Sequence, residues 1–308
     1  MSSTTVTTAP EPGLRTRREI DSQPGVWRQA LDAYVPRATE LFARPGERVL
    51  VLGCGTSAFV AESVAILREA AGLGLTDAAY ASEPRRWRDY DTVVALTRSG
   101  TTTEVIDALH GLPTGVRTIA VTGVADSPVA GLVDEVLLLD FADEESVVQT
   151  RFPTTLLLLA RAAFGADLSE LPDQCEGALA GASRVDVADF DHFVYLGRGW
   201  THGLAQEAAL KIREAAQAWA ESYPLLDYRH GPLAVAGERS LVWMIGASDD
   251  GLVDDVRRTG ATVVTSRHDP LIELALLQRL ASDVARLRGL DPDAPVHLSR
   301  SIILAPSS

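Results

Sequence analysis

Short apolar runs that alternate with helix-like stretches are the feature that most constrains the fold of this chain. In the first half these runs occupy residues 48–53, 91–96, 118–122 and 135–139. Continuous Val, Leu and Ile, without alternating polar residues, are typical of strands that are buried on both faces of a sheet. Helices predicted over 58–71 and 102–110 separate the strands, and this interleaving predicts a parallel, doubly wound sheet.

The same pattern begins again in the second half, which indicates an internal duplication. Further strands are predicted at 192–196, 240–245 and 261–265, with a last helix at about 271–289. An apolar helix at 146–164 ends the first half, and a stretch rich in Gly, Pro and acidic residues follows it. We therefore expect a disordered tail at 1–18, a first subdomain at 19–165, a linker at 166–186 and a second subdomain at 187–308.

Composition limits the possible classes of function. The 308 residues are 46% hydrophobic and 23% charged, as expected for a globular protein with a substantial core. The formal net charge of -14 disfavours nucleic-acid binding, and no apolar run approaches the ~20 residues that span a membrane. The polar start lacks the apolar core of a signal peptide, and Cys54 and Cys175 have neither disulfide-framework nor metal-ligand spacing. We therefore expect a cytoplasmic protein without a metal or other cofactor.

Two turns rich in glycine and hydroxyl groups follow the first two predicted strands. Gly-Cys-Gly-Thr-Ser at 53–57 offers Thr56 and Ser57 at the start of a helix, and Thr-Arg-Ser-Gly-Thr-Thr occupies 97–102. Helix N-termini bind phosphate through backbone N–H groups and hydroxyls, although an ordinary capped helix start explains a single turn equally well. Two such turns on adjacent parallel strands, with a third polar turn at 145–150, predict a pocket at the carboxyl edge of the sheet.

Motifs for larger phosphorylated ligands are absent from the sequence. The first turn lacks the last glycine of Gly-x-Gly-x-x-Gly, and no Gly-Lys-Ser/Thr is present. The turns therefore predict a site for a single phosphate on a small molecule.

A stripe of charge in the second half is the strongest candidate for chemistry. In Gln-Glu-Ala-Ala-Leu-Lys-Ile-Arg-Glu, at 206–214, the side chains of Glu207, Lys211 and Glu214 project from one face of a helix. Such a stripe is either a solvated ladder of ion pairs or a site in which a carboxylate serves as a base. His230, in the His-Gly-Pro turn that follows, favours catalysis.

Together, these motifs resemble the sugar-isomerase (SIS) family. Glu-Ile-Asp-Ser-Gln-Pro at 19–24, both glycine turns, the 206–214 stripe and the His-Gly-Pro turn at 230–232 occur in the family's order. The resemblance extends from about residue 19 to about residue 302. It is closest to the isomerase half of glucosamine-6-phosphate synthase and to stand-alone amino-sugar phosphate isomerases and deaminases. The glutaminase half is absent, so the resemblance implies free ammonia as the nitrogen source, or the reverse reaction.

The resemblance implies a fold and an assembly. Each of two tandem SIS subdomains would be a three-layer αβα sandwich around a mostly parallel five-stranded sheet. The substrate would be an amino-sugar phosphate, and two copies of the chain would form a homodimer. No nucleic-acid or membrane partner is implied.

The resemblance also implies roles for individual residues. Glu214 would move a proton between C1 and C2 of the sugar, Lys211 would lie near the sugar oxygens, and Glu207 would support Lys211. His230 would open the sugar ring, reaching in from the neighbouring subunit. The residues expected to bind the phosphate or the rest of the substrate are Gly55, Thr56, Ser57, Thr97, Arg98, Ser99, Thr102, Gln149 and Arg300.

Three of these positions depart from the synthase pattern. Arg98 replaces the Gln of Ser-Gln-Ser, so its side chain would either contact the phosphate or point to solvent. Gln149 stands where synthases have Ser, and Arg300 stands where they have a Lys that closes over the sugar. Because Arg keeps its proton, it cannot shuttle one as Lys can. Arg300 therefore weighs against ring opening or amine chemistry of the synthase type.

Three functions remain open. The first is an aldose–ketose isomerase or deaminase that converts a glucosamine-6-phosphate-like substrate to a fructose-6-phosphate-like product and ammonia. The second is a lyase, since a base that takes the C2 proton of an N-acetylated amino-sugar 6-phosphate, such as N-acetylglucosamine-6-phosphate, also drives loss of the C3 group. The third is a module that binds a phosphosugar and regulates a partner. Retention of Glu214 and His230 favours an enzyme.

Overall fold

The structure is a computed structural model that describes residues 11–83 and 87–304, which contain nine strands and ten α-helices. The strands are β1 (Val49–Gly53), β2 (Thr76–Tyr80), β3 (Thr92–Leu96), β4 (Arg117–Thr122), β5 (Glu135–Leu138), β6 (His192–Gly197), β7 (Trp219–Pro224), β8 (Ser240–Ile245) and β9 (Thr262–Thr265). The helices are α1 (Leu14–Asp21), α2 (Gln23–Ala33), α3 (Val35–Phe42), α4 (Thr56–Ala70), α5 (Thr103–His110), α6 (Arg151–Ala163), α7 (Leu171–Ala180), α8 (Thr201–Ala216), α9 (Asp250–Arg258) and α10 (Pro270–Leu287). None of these helices is both long and apolar enough to cross a membrane.

Two parallel sheets form the framework, so the predicted α/β fold is confirmed. The first sheet has the strand order β2-β1-β3-β4-β5, and the second has the order β7-β6-β8-β9. Every residue of β1, β3 and β8 is buried, because helices cover both faces of each sheet.

The prediction of five strands in both sheets is wrong for the second sheet, which has four strands in the described part of the chain. After β9 the chain enters α10 directly, where the Asp269 carboxylate caps the helix by accepting the Leu271 N–H at 2.9 Å. The apolar residues at 302–304 follow α10 but form no strand, and they lie beside the start of α5 in the other half.

Two of the four edge strands, β2 and β7, were missed by the sequence pattern. Their sequences, Thr-Asp-Ala-Ala-Tyr and Trp-Ala-Glu-Ser-Tyr-Pro, contain no continuous apolar run. An edge strand is less deeply buried than an interior one, and most residues of β2 and β7 are at least partly exposed. The hydrophobic criterion therefore finds the interior strands better than the edges.

The N-terminal tail and the linker are more ordered than expected. Residues 1–10 of the predicted tail lie outside the described residues, but α1 begins at Leu14, inside the predicted 1–18 tail. Asp291 and Asp293 accept the N–H groups of Gly13 and Thr16, at 2.7 and 2.8 Å, and so cap α1 from the opposite end of the chain. Helix α7 forms within the predicted 166–186 linker and buries Cys175.

The helix predicted at 146–164 begins later than expected, so the loop before it is longer. Helix α6 begins only at Arg151, because the Glu144 carboxylate accepts the N–H groups of Thr150 and Arg151 at 2.6 and 2.9 Å. Residues 145–150 consequently remain a polar turn beside the carboxyl end of the first sheet.

Helices α4 and α8 pack directly against each other and join the two halves. A side chain at Gly203 would overlap the carbonyl oxygen of Phe59, so the glycine permits close approach of the backbones. The Ser63 hydroxyl donates to the carbonyl oxygen of Trp200 at 2.8 Å. Further along α8, Lys211 reaches Thr56 at the beginning of α4, so the two helices run antiparallel at this contact.

Candidate active site

The first glycine turn wraps tightly around the beginning of α4. A side chain at Gly53 would lie 2.5 Å from the backbone carbon of Ser57, so this position requires glycine. Gly55 has a φ of 52°, which other residues rarely adopt. The turn delivers Thr56 and Ser57 to the start of α4, where both are buried. The predicted hydroxyls therefore stand at the positive end of a helix.

The second turn lies beside the first, because β1 and β3 are neighbours in the parallel sheet. Thr97 Oγ1 accepts the Gly100 N–H at 3.2 Å, which closes the turn. Ser99 is half-buried, and Thr102 occupies the N-cap of α5 without a side-chain capping bond. The predicted phosphate-binding hydroxyls thus share one edge of the sheet, as expected from the topology.

The charged stripe is a buried cluster and not a solvated ladder. Lys211 is 1% exposed, and its Nζ lies 3.3 Å from Glu207 Oε1 and 2.6 Å from Glu214 Oε2. The same Nζ donates to Thr56 Oγ1 at 3.2 Å. Helix α8 of the second half therefore places its ammonium group against the first glycine turn of the first half.

Burial controls the protonation of this cluster. Burial raises the pKa of Glu207 to about 7, the Lys211 charge opposes this rise, and Glu214 adds to it. Burial alone would lower the pKa of Lys211, but the two carboxylates outweigh it and raise that pKa. The ammonium therefore stays charged near neutral pH, while Glu207 titrates there.

Glu214 is the accessible member of the cluster. Its side chain is 21% exposed, whereas the side chains of Lys211 and Glu207 are each 1% exposed. A carboxylate that contacts an ammonium group and retains access to solvent has the geometry of a general base that meets a bound ligand. The arrangement is suited to proton transfer beside an oxygen that develops negative charge.

His230 lies apart from the cluster in the single chain. It is exposed, and its backbone N–H donates to Asp227 O at 2.8 Å. Among the described residues, no hydrogen bond or ion pair joins its side chain to Glu207, Lys211 or Glu214. The structure therefore does not bring this predicted site residue together with the others.

Arg98 is buried, so the alternative that it points to solvent is wrong. Its Nη1 donates to Ser146 O at 2.8 Å, and its Nη2 donates to Arg300 O at 3.2 Å. Glu144 Oε2 lies 3.8 Å from Nη1. Arg98 therefore connects the second turn with the 145–150 turn and with the C-terminal segment.

Gln149 and Arg300 lie at the margin of the same edge. Gln149 is half-buried, and its Oε1 has no hydrogen-bond partner in the described part of the chain. Arg300 is exposed, and its Nη2 binds the Asp143 carboxylate at 2.5 Å. The Arg300 side chain is thus engaged by an acidic residue of the protein.

Sequence reasoning missed several residues that build this edge. Thr101 Oγ1 donates to Ser301 Oγ at 2.9 Å, and Ile302 O accepts the Thr103 N–H at 3.1 Å. Asp143 and Glu144 form an acidic pair just before the third turn, which was the available signal for their role in loop anchoring. In the described ranges, no group of three or more His, Cys, Asp or Glu residues could hold a metal ion.

Comparison with known proteins gives a family match over part of the chain. Residues 42–164 match the family model of the SIS domain, which confirms the resemblance inferred from the motifs. The glutamine–fructose-6-phosphate aminotransferase (isomerizing) of Gloeobacter violaceus is 29% identical over 92% of this chain and 58% of its own length. That of Haemophilus ducreyi is 27% identical over 88% of this chain and 54% of its own length. The chain thus spans little more than half of these relatives.

Solved structures agree on the fold over nearly the whole chain. Glucosamine-6-phosphate deaminase from Thermotoga maritima has a TM-score of 0.83 and 27% identity, covering 94% of this chain and 100% of that one. Tagatose-6-phosphate ketose/aldose isomerase from Escherichia coli has a TM-score of 0.76 and 20% identity, covering 97% of this chain and 100% of that one. The second likeness supports the fold alone.

Proposed function

This chain carries a SIS domain, and on that basis we propose that it is an enzyme acting on an amino-sugar 6-phosphate by removal of the C2 proton. The reaction is aldose–ketose isomerisation with deamination: a proton moves from C2 to C1, and water hydrolyses the resulting C2 imine, so that a glucosamine-6-phosphate-like substrate and water give a fructose-6-phosphate-like product and ammonia. One observation carries the proposal: the accessible carboxylate of Glu214 lies 2.6 Å from the buried ammonium of Lys211, which contacts the first glycine turn through Thr56. The enzyme needs no cofactor and works in a reducing cytoplasm, in keeping with its two free cysteines.

The two turns bind the phosphate. Ser57, Thr97, Ser99 and Thr102 supply hydroxyls beside the N-termini of α4 and α5, where the helix dipoles favour an anion. Phosphate binding remote from the reacting carbons fixes the register of the open-chain sugar and lowers the entropic cost of the reaction. The net charge of -14 makes such localised donors necessary for anion binding.

Glu214 transfers the proton, and Lys211 stabilises the intermediate. Removal of the C2 proton creates an enediol-like species with negative charge on the adjacent oxygen. A fixed ammonium beside that oxygen supplies electrostatic stabilisation without reorganisation of solvent. Glu207 holds Lys211 from the buried side, which leaves the ammonium directed toward Thr56 and Glu214.

His230 completes the site from a second copy of the chain. The segment around it carries exposed apolar side chains, with Leu226 43% and Val235 65% exposed. Exposed apolar residues close to one another support an interface, and an interface there accounts for a histidine that is remote from the cluster of its own chain. The homodimer and ring opening by His230 are parts of this proposal.

Incubation with three substrates tests the reaction: glucosamine-6-phosphate, galactosamine-6-phosphate and N-acetylglucosamine-6-phosphate. We expect ammonia and a ketose phosphate from one of the first two. A product without ammonia that absorbs ultraviolet light, formed from the N-acetylated substrate, would instead identify a lyase. Tight binding without turnover of any of the three would identify a regulatory module and refute the enzyme.

Two variants test the assignments. Glu214→Gln keeps the size of the side chain and removes the base, so turnover should fall by about 10²–10⁴-fold with phosphosugar binding retained. Full turnover in this variant would refute the assigned base. A mixture of inactive Glu214→Gln and His230→Ala subunits should regain activity, because one site of the mixed dimer then has both intact groups. Absence of recovery in proven mixed dimers would refute action across the interface.

A further inference from the structure

The C-terminal segment at residues 300–304 crosses the second turn as an extended strap. Thr101 Oγ1 donates to Ser301 Oγ at 2.9 Å, and the Thr103 N–H at the start of α5 donates to Ile302 O at 3.1 Å. The Leu304 N–H donates to Thr103 Oγ1 at 2.9 Å. The strap therefore lies against the helix start that is the second phosphate-binding element of the proposed function.

Apolar burial does not hold this strap in place. Ile302 is 47% exposed, Ile303 is 72% exposed and Leu304 is 54% exposed, so its large side chains gain little from contact with the core. The attachment is polar, and most of its bonds are open to competition from water. Arg300 itself is exposed where it binds the Asp143 carboxylate.

One bond to the strap comes from inside the protein. Arg98 is 2% exposed, and its Nη2 donates to Arg300 O at 3.2 Å. Its Nη1 donates to Ser146 O at 2.8 Å, and Glu144 Oε2 at 3.8 Å partly balances the charge. A hydrogen bond from a buried charged donor is stronger than one between exposed neutral groups, because water does not compete for it.

We propose that Arg98 is a positioning residue that anchors the strap at residues 300–304 across the second turn. Through the strap, Arg98 sets the position of Thr101 and of the α5 N-terminus, which receive the phosphate of the substrate. The kinetic part of this inference rests on the proposed function, whereas the anchoring part does not.

Arginine suits this position for a geometric reason. The guanidinium group is planar and has five N–H donors in a fixed fork, so it can bind carbonyl oxygens of two separate segments at once. Glutamine has one NH₂ group and no charge, and lysine concentrates its three donors on one nitrogen. Either replacement leaves at least one of the carbonyl oxygens of Ser146 and Arg300 without its partner.

Hydrogen exchange of the full chain tests the anchor directly. In Arg98→Gln, the Thr103 and Leu304 amides should exchange at least tenfold faster than in the wild type, while the amides of β8 keep their protection. Arg98→Lys should give an intermediate increase. Unchanged protection at Thr103 and Leu304 in Arg98→Gln would overturn the proposal, whatever the enzyme's reaction proves to be.

Arg68 provides a matched control. It is also a buried arginine that donates to carbonyl oxygens, those of Phe42 and Glu47 among them, but it has no bond to the strap. Arg68→Gln should therefore not accelerate exchange selectively at Thr103 and Leu304. If it accelerates them as much as Arg98→Gln does, the effect reports general destabilisation and the anchor is refuted.

Steady-state kinetics test whether Arg98 affects substrate binding through the strap. Arg98→Gln should raise KM for the phosphosugar about tenfold and change kcat less than threefold. A chain that ends after Leu298 should show the same rise in KM, and adding Arg98→Gln to it should have no further effect. Additive effects would show that Arg98 acts without the strap and would overturn this part. The truncated chain retains Arg98, so its KM shows whether the strap affects the site even if Arg98→Gln does not fold, and an unchanged KM in the truncated chain would overturn this part.

Discussion

Each half of the molecule contains a glycine turn of the same form, at 53–57 in the first half and at 197–199 in the second. Only the turn at 53–57 lies against a charged side chain of the helix packed on it. Gly53 at the end of β1 and Gly197 at the end of β6 both leave no room for a side chain, which would collide with Ser57 and Thr201, respectively. The next glycine in each turn has a positive φ, 52° at Gly55 and 59° at Gly199. The fold therefore demands the glycines in both places, and their presence alone does not indicate a binding site.

The difference lies in the helix that packs against each turn. Helix α8 presents Lys211 to the first turn, where its Nζ meets Thr56 Oγ1. Aligned on Gly53 and Gly197, the two halves place Leu67 of α4 opposite Lys211 and Ser63 opposite Glu207. Helix α4 therefore presents no charged side chain at these positions to the turn at 197–199. The repeated backbone supplies the turn, and a helix of the opposite half supplies the charged side chains beside it.

The turns after β3 and β8 show a similar difference between the two halves. The turn after β8 ends at Asp249, whose carboxylate accepts the Leu252 N–H at 2.7 Å and binds Arg229 at 3.0 Å. The turn after β3 ends at Thr102, which makes no side-chain capping bond. A carboxylate at a helix start occupies the N–H groups that a phosphate would use and repels an anion. Of the two halves, only the first therefore has an edge suited to the phosphate of the proposed substrate.

The largest expected contrast is between Lys211→Met and Leu67→Met, the aligned positions of the two halves. Lys211→Met leaves Glu207 buried beside a second carboxylate and removes the ammonium from the site. We expect loss of turnover and about 3–5 kcal/mol of destabilisation. Leu67→Met should cost less than about 1.5 kcal/mol and leave turnover intact. Denaturant unfolding and steady-state assays measure both effects. An equal loss of unfolding free energy in the two variants would contradict the asymmetry between the halves.

The next contrast is in the pH dependence of stability. The pKa of Glu207 is about 7 in the folded protein, above its usual value of 4.5. The unfolded state therefore loses this proton first, so the stability linked to it is complete at low pH and is lost as pH rises from about 4.5 to 7. Between pH 5 and 7.5 the wild type should lose roughly 2–3 kcal/mol more than Glu207→Gln. Parallel stability profiles would contradict the raised pKa. Ser63→Ala, at the aligned position, is the control and should keep the wild-type slope.

Replacing the second glycine of each turn separates fold from binding. Gly55→Ala and Gly199→Ala both place a side chain at positive φ, although neither meets an atom within 4 Å. Each should cost about 1–3 kcal/mol through backbone strain. Only Gly55→Ala should also weaken phosphosugar binding, as measured by calorimetry. Equal loss of binding in both variants would mean that the turn between β6 and α8 contributes to the site.

The smallest expected effect is at Arg198, the exposed residue between Gly197 and Gly199 in the turn between β6 and α8. Arg198→Ala should change the free energy of unfolding by less than about 0.5 kcal/mol and leave phosphosugar affinity unchanged. Weaker binding in Arg198→Ala, at unchanged stability, would reveal an anion site in the second half.

The sequence predicted interior strands and turns because both leave local signals. Strands β1 and β3 consist of continuous apolar residues, and the glycine turns follow them directly. Strand β7 left no such signal, since a partly exposed edge strand tolerates Glu and Ser. Strands are thus predictable from the sequence where burial requires a continuous apolar run, and less so at a partly exposed edge.

The state of the charged stripe was not predictable from local sequence. Its spacing fits an exposed ladder equally well, and its burial depends on how closely α4 and α8 approach at Gly203. The buried position of Arg98 likewise depends on carbonyl oxygens at Ser146 and Arg300, which are distant in sequence. The roles of Glu214 and His230 remain predictions.

The capping of α1 constrains the order in which the protein is completed during synthesis. Gly13 and Thr16 at its beginning donate to Asp291 and Asp293, partners that are 278 and 277 residues away. At about 5–20 residues per second, a ribosome needs roughly 15–60 s to make the intervening chain. Helix α1 is therefore made long before its capping partners, and we expect it to be fully hydrogen-bonded only after residue 293 has left the ribosome.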